Sequence, residues 1–445
     1  MRESWRDAFL SAGTAALASV PALMLSAHLL EGAGMRFDGC FTATCLLMVV
    51  FALWMAYRGV AIVFSPSAGL TVACVYFVLY GEGFSWQEML LLNAAAGALG
   101  FALWSLPAGA KVFGFFPRIV RQVFPAALAL LLIYASFVLG RIVIHSPWAV
   151  TGLGSFTDPM AYLSLTGLLV FALLYVRRVP HAPLWSFLVV MALSLGEGFW
   201  VMPGPFWEPE GLDRVAAMLD TRFLGDAHAT LLAAGVLVTM LFAMSVYALS
   251  VLQALSSTMG GQPMTAAGEP EEKTRAEEKE RALAIRRVLR GMFLLQFAGA
   301  WLGALPCLPS PVSAAMRQGS RQQGRRTALA LAACFVLVLF TEPVWQNLAD
   351  FPAAAVPALA GIGLLWLIRW GRSVFPRIAW QREEAVTALA VGLILPLSFD
   401  FVAAAAIGTV LYVCLLAVSG RRSEVSRGTQ VLALLFLAYL FFVDL

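Results

Sequence analysis

Ser65-Pro66-Ser67-Ala68-Gly69 breaks an apolar run that extends from Val60 to Tyr80, and Pro306-Cys307-Leu308-Pro309-Ser310-Pro311-Val312-Ser313-Ala314 breaks a second one far down the chain. Each break contains a Ser followed by Pro, which reads as an N-cap with Pro at the first helical position. The pattern predicts an extended segment entering an apolar layer, then a half-helix starting near mid-depth. The two breaks occupy matching places. Ser65 lies 57 residues after the start of the first apolar span; Ser310 lies 82 after the start of the eighth, or 56 once the 26-residue charged stretch 257–282 is set aside.

Composition makes the layer a membrane. Of 445 residues, 60% are hydrophobic and 13% charged, against about 45–50% and about 25% in an average globular chain. A soluble multi-domain enzyme is excluded. One helical crossing needs about 20 apolar residues. Candidate spans lie at about 8–30, 41–57, 60–80, 86–106, 123–144, 162–176 and 183–202, and again at about 228–255, 289–305, 312–323, 327–349, 351–371, 384–398 and 401–419. A last apolar run covers about 429–443. The one long soluble stretch, Ser256 to Ala282, alternates acid and base as a solvated helix or linker does.

Charge placement tests this layout. With the N-terminus inside and the spans alternating, 26 of the 30 Lys and Arg fall on the inner side; only Arg36, Arg141, Arg214 and Arg222 do not. The acid-rich stretch from Glu208 to Asp226 falls outside. A net charge of +4 is too small to point to nucleic acid. The polar start, Met1 to Asp7, lacks a cleavage site and reads as a retained cytoplasmic end. Six scattered Cys form neither a metal pair nor a disulfide framework.

The spans fall into two halves of opposite orientation, since span one starts inside and span eight outside. Phe124-Pro125-Ala126-Ala127 and Phe351-Pro352-Ala353-Ala354 open the fifth span of each half. Phe-Pro-Arg-Ile at 116–119 and 375–378 does not respect this order and reads as chance. Irregular backbone is not tolerated against lipid, so broken helices line an enclosed or watery cavity. Paired Pro-interrupted segments in inverted halves point to a transporter's central site, where half-helix N-termini offer N–H groups and a positive dipole end.

At these residues the chain resembles the adenine/guanine/hypoxanthine permease branch of the nucleobase:cation symporter-2 family, whose fold is shared with uracil and sulfate permeases. The likeness covers nearly the whole chain. It is carried by Gly34-Met35 with Ala43-Thr44, by Ser65-Pro66-Ser67-Ala68-Gly69-Leu70 in place of Pro-Gly-Met-Gly-Leu-Asn, and by Ser85-Trp86-Gln87. Gly324-Arg325-Arg326-Thr327-Ala328-Leu329, Pro357-Ala358-Leu359 and Leu395-Pro396-Leu397-Ser398 continue it. The resemblance implies an all-α polytopic membrane protein, a 7+7 inverted repeat with short strands and half-helices in spans 3 and 10. It implies a core (1–110 and 228–350), a gate (111–227 and 351–428) that moves against the core like an elevator and forms a homodimer contact, and a separate C-terminal helix (429–445).

The chain also departs from the family. Where the eighth span carries Phe-Asp-Thr-Val-Gly-Thr, this chain has Ser245-Val246-Tyr247-Ala248-Leu249-Ser250. Met316-Arg317 stands for Glu-Ser, Thr71 for an Asn, and Val20 for another. Candidate solute-binding residues are Ser67, Ala68, Gly69, Tyr247, Ser250, Ser313, Ala314, Met316 and Arg317. Tyr247, Ser250 and Gln253 share a helical face, and Tyr247 could stack on a ring or donate a hydrogen bond; the competing reading is a polar tie between helices. Arg317, six residues after Pro311, is about 9 Å from mid-plane, with Arg321 a turn further on the same half-helix. It makes the site anion-selective or anchors the inner end of the span. His28 is a further polar residue within a span; Glu197 reads as structural, and Asn93 and Gln296 as ties between helices.

No cofactor, metal or catalytic set is expected, and no enzyme activity. Three functions stay open: a cation-coupled carrier of purine-like nucleobases, an anion transporter or channel using Arg317, and a non-transporting sensor on the same scaffold. The expected partners are a purine-like or anionic small solute, membrane lipid and a second copy of the chain, with no nucleic acid. The expected location is a bacterial-type inner membrane.

Overall fold

The structure, a computed structural model, describes residues 5–67, 70–71, 74–81, 83–106, 115–146, 151–202, 211–259, 271–316, 320–378, 380–398 and 401–442. Helices dominate. Eight of those described are long and apolar enough to cross a membrane, and Ala182–Gly196, Ala403–Val418 and Arg427–Ala438 are shorter apolar ones. The chain is an all-α, multi-pass membrane protein with two antiparallel pairs of short strands among the described residues, one of them β2 (Val143–Ile144) with β3 (Gly152–Leu153).

By backbone contact the chain divides into two units. One comprises Met1–Ala94, Leu132–Val236 and Leu295–Leu365; the other comprises Ala95–Leu131, Leu237–Leu294 and Trp366–Leu445.

In the first unit, α1 (Trp5–Gly32) and α2 (Phe37–Arg58) lead to β1 (Phe64–Pro66), and a short π-wound helix α3 (Cys74–Gly81) follows. From the other half of the sequence come β4 (Cys307–Pro309), one 3₁₀ turn (Pro311–Ala315) and the long helix Arg321–Phe340. The helices α1 and α2 pack on that long helix and on β1. Small residues allow the closeness: Ser11, Ala12, Ala15, Ala16, Ser19, Ala27, Cys40, Ala43 and Thr44 are all buried. At the end of α2, Gly59 takes the left-handed conformation (φ 73°) and its N–H closes the helix on Ala56 and Met55. A Cβ there would lie 2.2 Å from Cγ of Arg321, and one on Gly324 would lie 2.3 Å from the Gly59 carbonyl.

Elsewhere in this unit, Pro159–Val176 and Ala182–Gly196 pack together and against the turn Pro352–Ala354. Trp200 Nε1 donates to the Phe351 carbonyl at 3.1 Å, and Phe199 stacks on the Phe351 ring. In the second unit, Arg382–Ser398, Phe401–Val418 and Arg427–Phe442 pack in sequence order. Arg421 joins their ends, bonding Glu424 at 2.7 Å. That bond holds the Glu424 carboxyl below its ordinary range. Arg286 donates to the last carbonyls of Trp86–Ser105, at 2.9 Å to Trp104, which supplies a cationic cap at a negative helix end.

Four local expectations need correction. Ser65 and Pro66 do not cap a helix; they lie in β1, and the turn begins at Ser67. Arg321 is not on the half-helix after Ser310, which ends at Ala315, but opens the next helix, capped by Ser320. Span nine is not a separate helix of 289–305: one helix runs Glu271–Trp301 and carries part of the charged stretch, the helical one of its two sequence readings, because the stretch is rich in strong helix formers. Span eleven stops at Phe340, where the Thr341 hydroxyl donates to the Leu337 carbonyl and Pro343 opens the short helix Glu342–Asp350.

Candidate functional site

The two chain interruptions meet. β1 and β4 pair antiparallel, with Phe64 opposite Pro309, Ser65 opposite Leu308 and Pro66 opposite Cys307. Ser65 and Ser310 are 245 positions apart, and so are Phe64 and Pro309, the pair that faces itself across the ladder. Equivalent residues of the two halves therefore sit on one local axis, as an inverted repeat requires. All six strand residues are buried. Phe64 stacks on Phe51 of α2 with centroids 4.4 Å apart, a contact worth about 0.5–1.5 kcal/mol beyond area burial.

Two strands leave two unpaired edges, and in an apolar layer each free backbone group is costly. Side chains fill the gaps. The Val63 N–H donates to Ser313 Oγ at 2.9 Å, and the Ser310 N–H donates to the Val63 carbonyl at 2.8 Å. The Leu305 N–H donates to Thr44 Oγ1 at 3.1 Å. The Cys307 N–H donates to Gln296 Oε1 at 3.0 Å, and Gln296 Nε2 donates to Asn93 Oδ1 at 3.2 Å. Asn93 and Gln296 are fully buried. Gln296 thus ties two helices together, as the sequence suggested, and also takes the place of a third strand. Asn93 Nδ2 has no partner among the described residues.

Each strand runs into a capped turn. The Ser310 hydroxyl accepts from the Val312 N–H at 3.4 Å, with Pro311 next in line, as the sequence predicted. After β1 the cap is Ser67: its hydroxyl accepts from the Leu70 N–H at 3.5 Å, and its carbonyl accepts from the Thr71 N–H at 2.9 Å. Thr71, which stands where the family has an Asn, donates to the Ser67 carbonyl and to Ser26 Oγ on α1, both at 3.1 Å.

Of the residues named from sequence, Ser67, Ser313, Ala314 and Met316 lie on the turns that leave the paired strands, with Ser313 and Met316 buried. Ala68, Gly69 and Arg317 lie outside the described residues. Tyr247 and Ser250 are buried on the helix Ala227–Met259, in the second unit, on one face with Gln253. Sequence reasoning did not assign Thr44, Ser26 and Gln296 to the strand region. Their one signal is a polar group within an otherwise apolar span. The described part of this region offers hydroxyls, amides and backbone groups, which can bind a hydrogen-bonding solute. Among the described residues no three His, Cys, Asp or Glu are grouped to hold a metal ion.

Comparison with known proteins agrees with the architecture. No family model matches the chain. An adenine permease of Escherichia coli (strain K12) is 23% identical over 447 residues, 99% of this chain and 93% of its own length. A guanine/hypoxanthine permease of Bacillus subtilis (strain 168) is 25% identical over 430 residues, 93% of this chain and 92% of its own. A nucleobase transporter of Paenibacillus larvae is 22% identical over 92% of this chain and 77% of its own. Among solved structures, the transmembrane domain of a cyanobacterium bicarbonate transporter shares the fold, with a TM-score of 0.51 over 90% of this chain and 98% of that one, at 15% identity.

Proposed function

We propose that this chain, a divergent relative of the nucleobase permeases, is a membrane carrier for purine-like nucleobases that binds its solute beside the paired strands. The observation that carries the reading is the antiparallel pairing of 64–66 with 307–309, which joins two sequence halves at a buried polar region. A planar base with several donors and acceptors matches such a region: hydroxyls on the turns, backbone groups at the strand ends and an unpartnered amide. In this reading Ser67, Ser313 and Met316, with Ala68, Gly69 and Ala314, surround the solute. The core (1–110 and 228–350) carries the solute past a gate (111–227 and 351–428) that pairs with a second copy of the chain. The protein resides in a bacterial-type inner membrane with its N-terminus in the cytoplasm.

A second reading rests on Arg317 in place of the family's acidic motif: an anion carrier. Uptake into proteoliposomes separates the two. The nucleobase reading predicts saturable uptake of labelled adenine, guanine or hypoxanthine, with no saturable uptake of sulfate or bicarbonate. Anion uptake that Arg317→Ala abolishes, with no base uptake, would replace it. No uptake of either class would leave the sensor reading.

A further inference from the structure

We propose that the chain moves its solute without a co-transported proton, as a facilitator with respect to protons. This rests on the nucleobase-carrier reading and concerns the coupling at the same site. Proton symport needs a group whose proton affinity differs between the loaded and the empty carrier, because coupling between two ligands is reciprocal. Near neutral pH that group is a buried carboxyl or a histidine. Thiols and phenols ordinarily titrate at about 8.5 and about 10, and burial moves both further from neutrality.

The elements that build the strand region lack any such group in their interiors. The sequence has no Asp, Glu or His from Ala8 to Ala27, from Gly39 to Gly81, from Ala229 to Gly268, or from Arg281 to Thr341. Those intervals contain the body of α1, nearly all of α2, β1, α3, β4 and the turn after it, and, apart from the strand region, the body of Ala227–Met259. The titratable groups nearby stand at element ends: the buried Glu342 opens the helix Glu342–Asp350, which packs on α1, and the others have partners of their own. His28 and Glu31 pair at 3.4 Å on the last turn of α1, with side chains 71% and 53% exposed. Asp38 pairs with Arg36 at 2.6 Å. Glu88 caps the helix it opens, accepting from the Ser85 N–H at 2.8 Å and the Ser85 hydroxyl at 2.9 Å.

The polar groups that are buried around the strands, Ser26, Thr44, Ser65, Ser67, Thr71, Asn93, Gln296, Ser310 and Ser313, are neutral hydroxyls and amides. Arg317 is the nearest cation in sequence to the second break, and a guanidinium keeps its proton at every physiological pH. The residues present can hold an uncharged base, but none of them gains or loses a proton as the base arrives.

The test is adenine uptake by the purified full chain in sodium-free proteoliposomes, with and without an inward gradient of two pH units. A carrier coupled to one proton would accumulate about 100-fold at equilibrium, tenfold for each pH unit. The facilitator equilibrates adenine to a ratio of 1 and no further, and its initial rate does not respond to the gradient or to a protonophore. Accumulation of several fold that a protonophore collapses would overturn the proposal while leaving the carrier reading intact. Failure to take up adenine, guanine or hypoxanthine at all would instead overturn the carrier reading, and this inference with it.

Discussion

Ser313 illustrates how a single hydroxyl holds the site together. Its oxygen accepts the Val63 N–H, and both residues are fully buried. Ser313→Ala leaves that N–H buried and unpaired, and the expected cost is about 1–3 kcal/mol. Gln296→Leu orphans the Cys307 N–H and half of the Asn93 amide, with a cost of the same order. Ser186→Ala is the control. Ser186 is equally buried but only donates to the Pro183 carbonyl three residues earlier in its own helix, so its loss leaves no backbone donor stranded. Thermal unfolding in detergent checks the ranking: the first two variants should melt clearly below wild type and the third close to it. Equal melting of all three would mean that the strand edges are satisfied in another way.

Helix meets helix through glycine at the junction of α2 and Arg321–Phe340. Gly59 is left-handed there, and Cβ atoms at 59 and 324 would fall at 2.2 and 2.3 Å from neighbouring atoms. Gly59→Ala therefore suffers both backbone strain, roughly 1 kcal/mol or more, and a clash; Gly324→Ala meets backbone, which cannot swing aside. Gly235, in Ala227–Met259, has nothing within 4 Å of its Cβ position. Gly235→Ala should be neutral or stabilising by about 0.5–1 kcal/mol. Melting temperatures of the three variants give the comparison, and a destabilised Gly235→Ala would contradict the packing. At this scale the sequence was informative where a signal is local. Ser310-Pro311 announced its cap, and the near-equal offsets of the two breaks marked them as equivalent positions of two halves. Ser65-Pro66 carried the same local signal and was misleading, because β4 recruits it into a ladder that no local pattern encodes. The charged helix start at 271 was hidden for another reason: a hydropathy window registers where a helix turns apolar, not where it begins.

Over the whole molecule, the multi-pass helical class was legible because a membrane demands long apolar segments, and the relatives and the shared fold accord with it; against fourteen spans and a last run read from sequence, eight helices among the described residues are long and apolar enough to cross and three more are shorter. The polar partners of the strands were less legible. Thr44 and Gln296 act through backbone groups that a sequence does not display, Ser26 through the Thr71 hydroxyl, and a side chain's partner in a distant segment leaves no trace in spacing. The proposed sidedness, with the basic loops inside, predicts that single cysteines placed at Lys273 and Asp220 are labelled from opposite faces of the membrane by an impermeant reagent. Labelling of both from one face would break the alternation of spans.

Everything functional depends on the meeting of 64–66 with 307–309. Pro66 lies opposite Cys307, and Cα atoms across an antiparallel pair are about 4.5–5.5 Å apart, within the reach of a disulfide. Pro66→Cys, in a chain whose five other cysteines are replaced by alanine and which carries an engineered protease site between residues 261 and 268, measures the pairing directly. After oxidation and cleavage the two fragments should migrate as one on a non-reducing gel and separate on reduction, and bound adenine should slow the cross-link. Fragments that part without reductant would contradict the account at its centre.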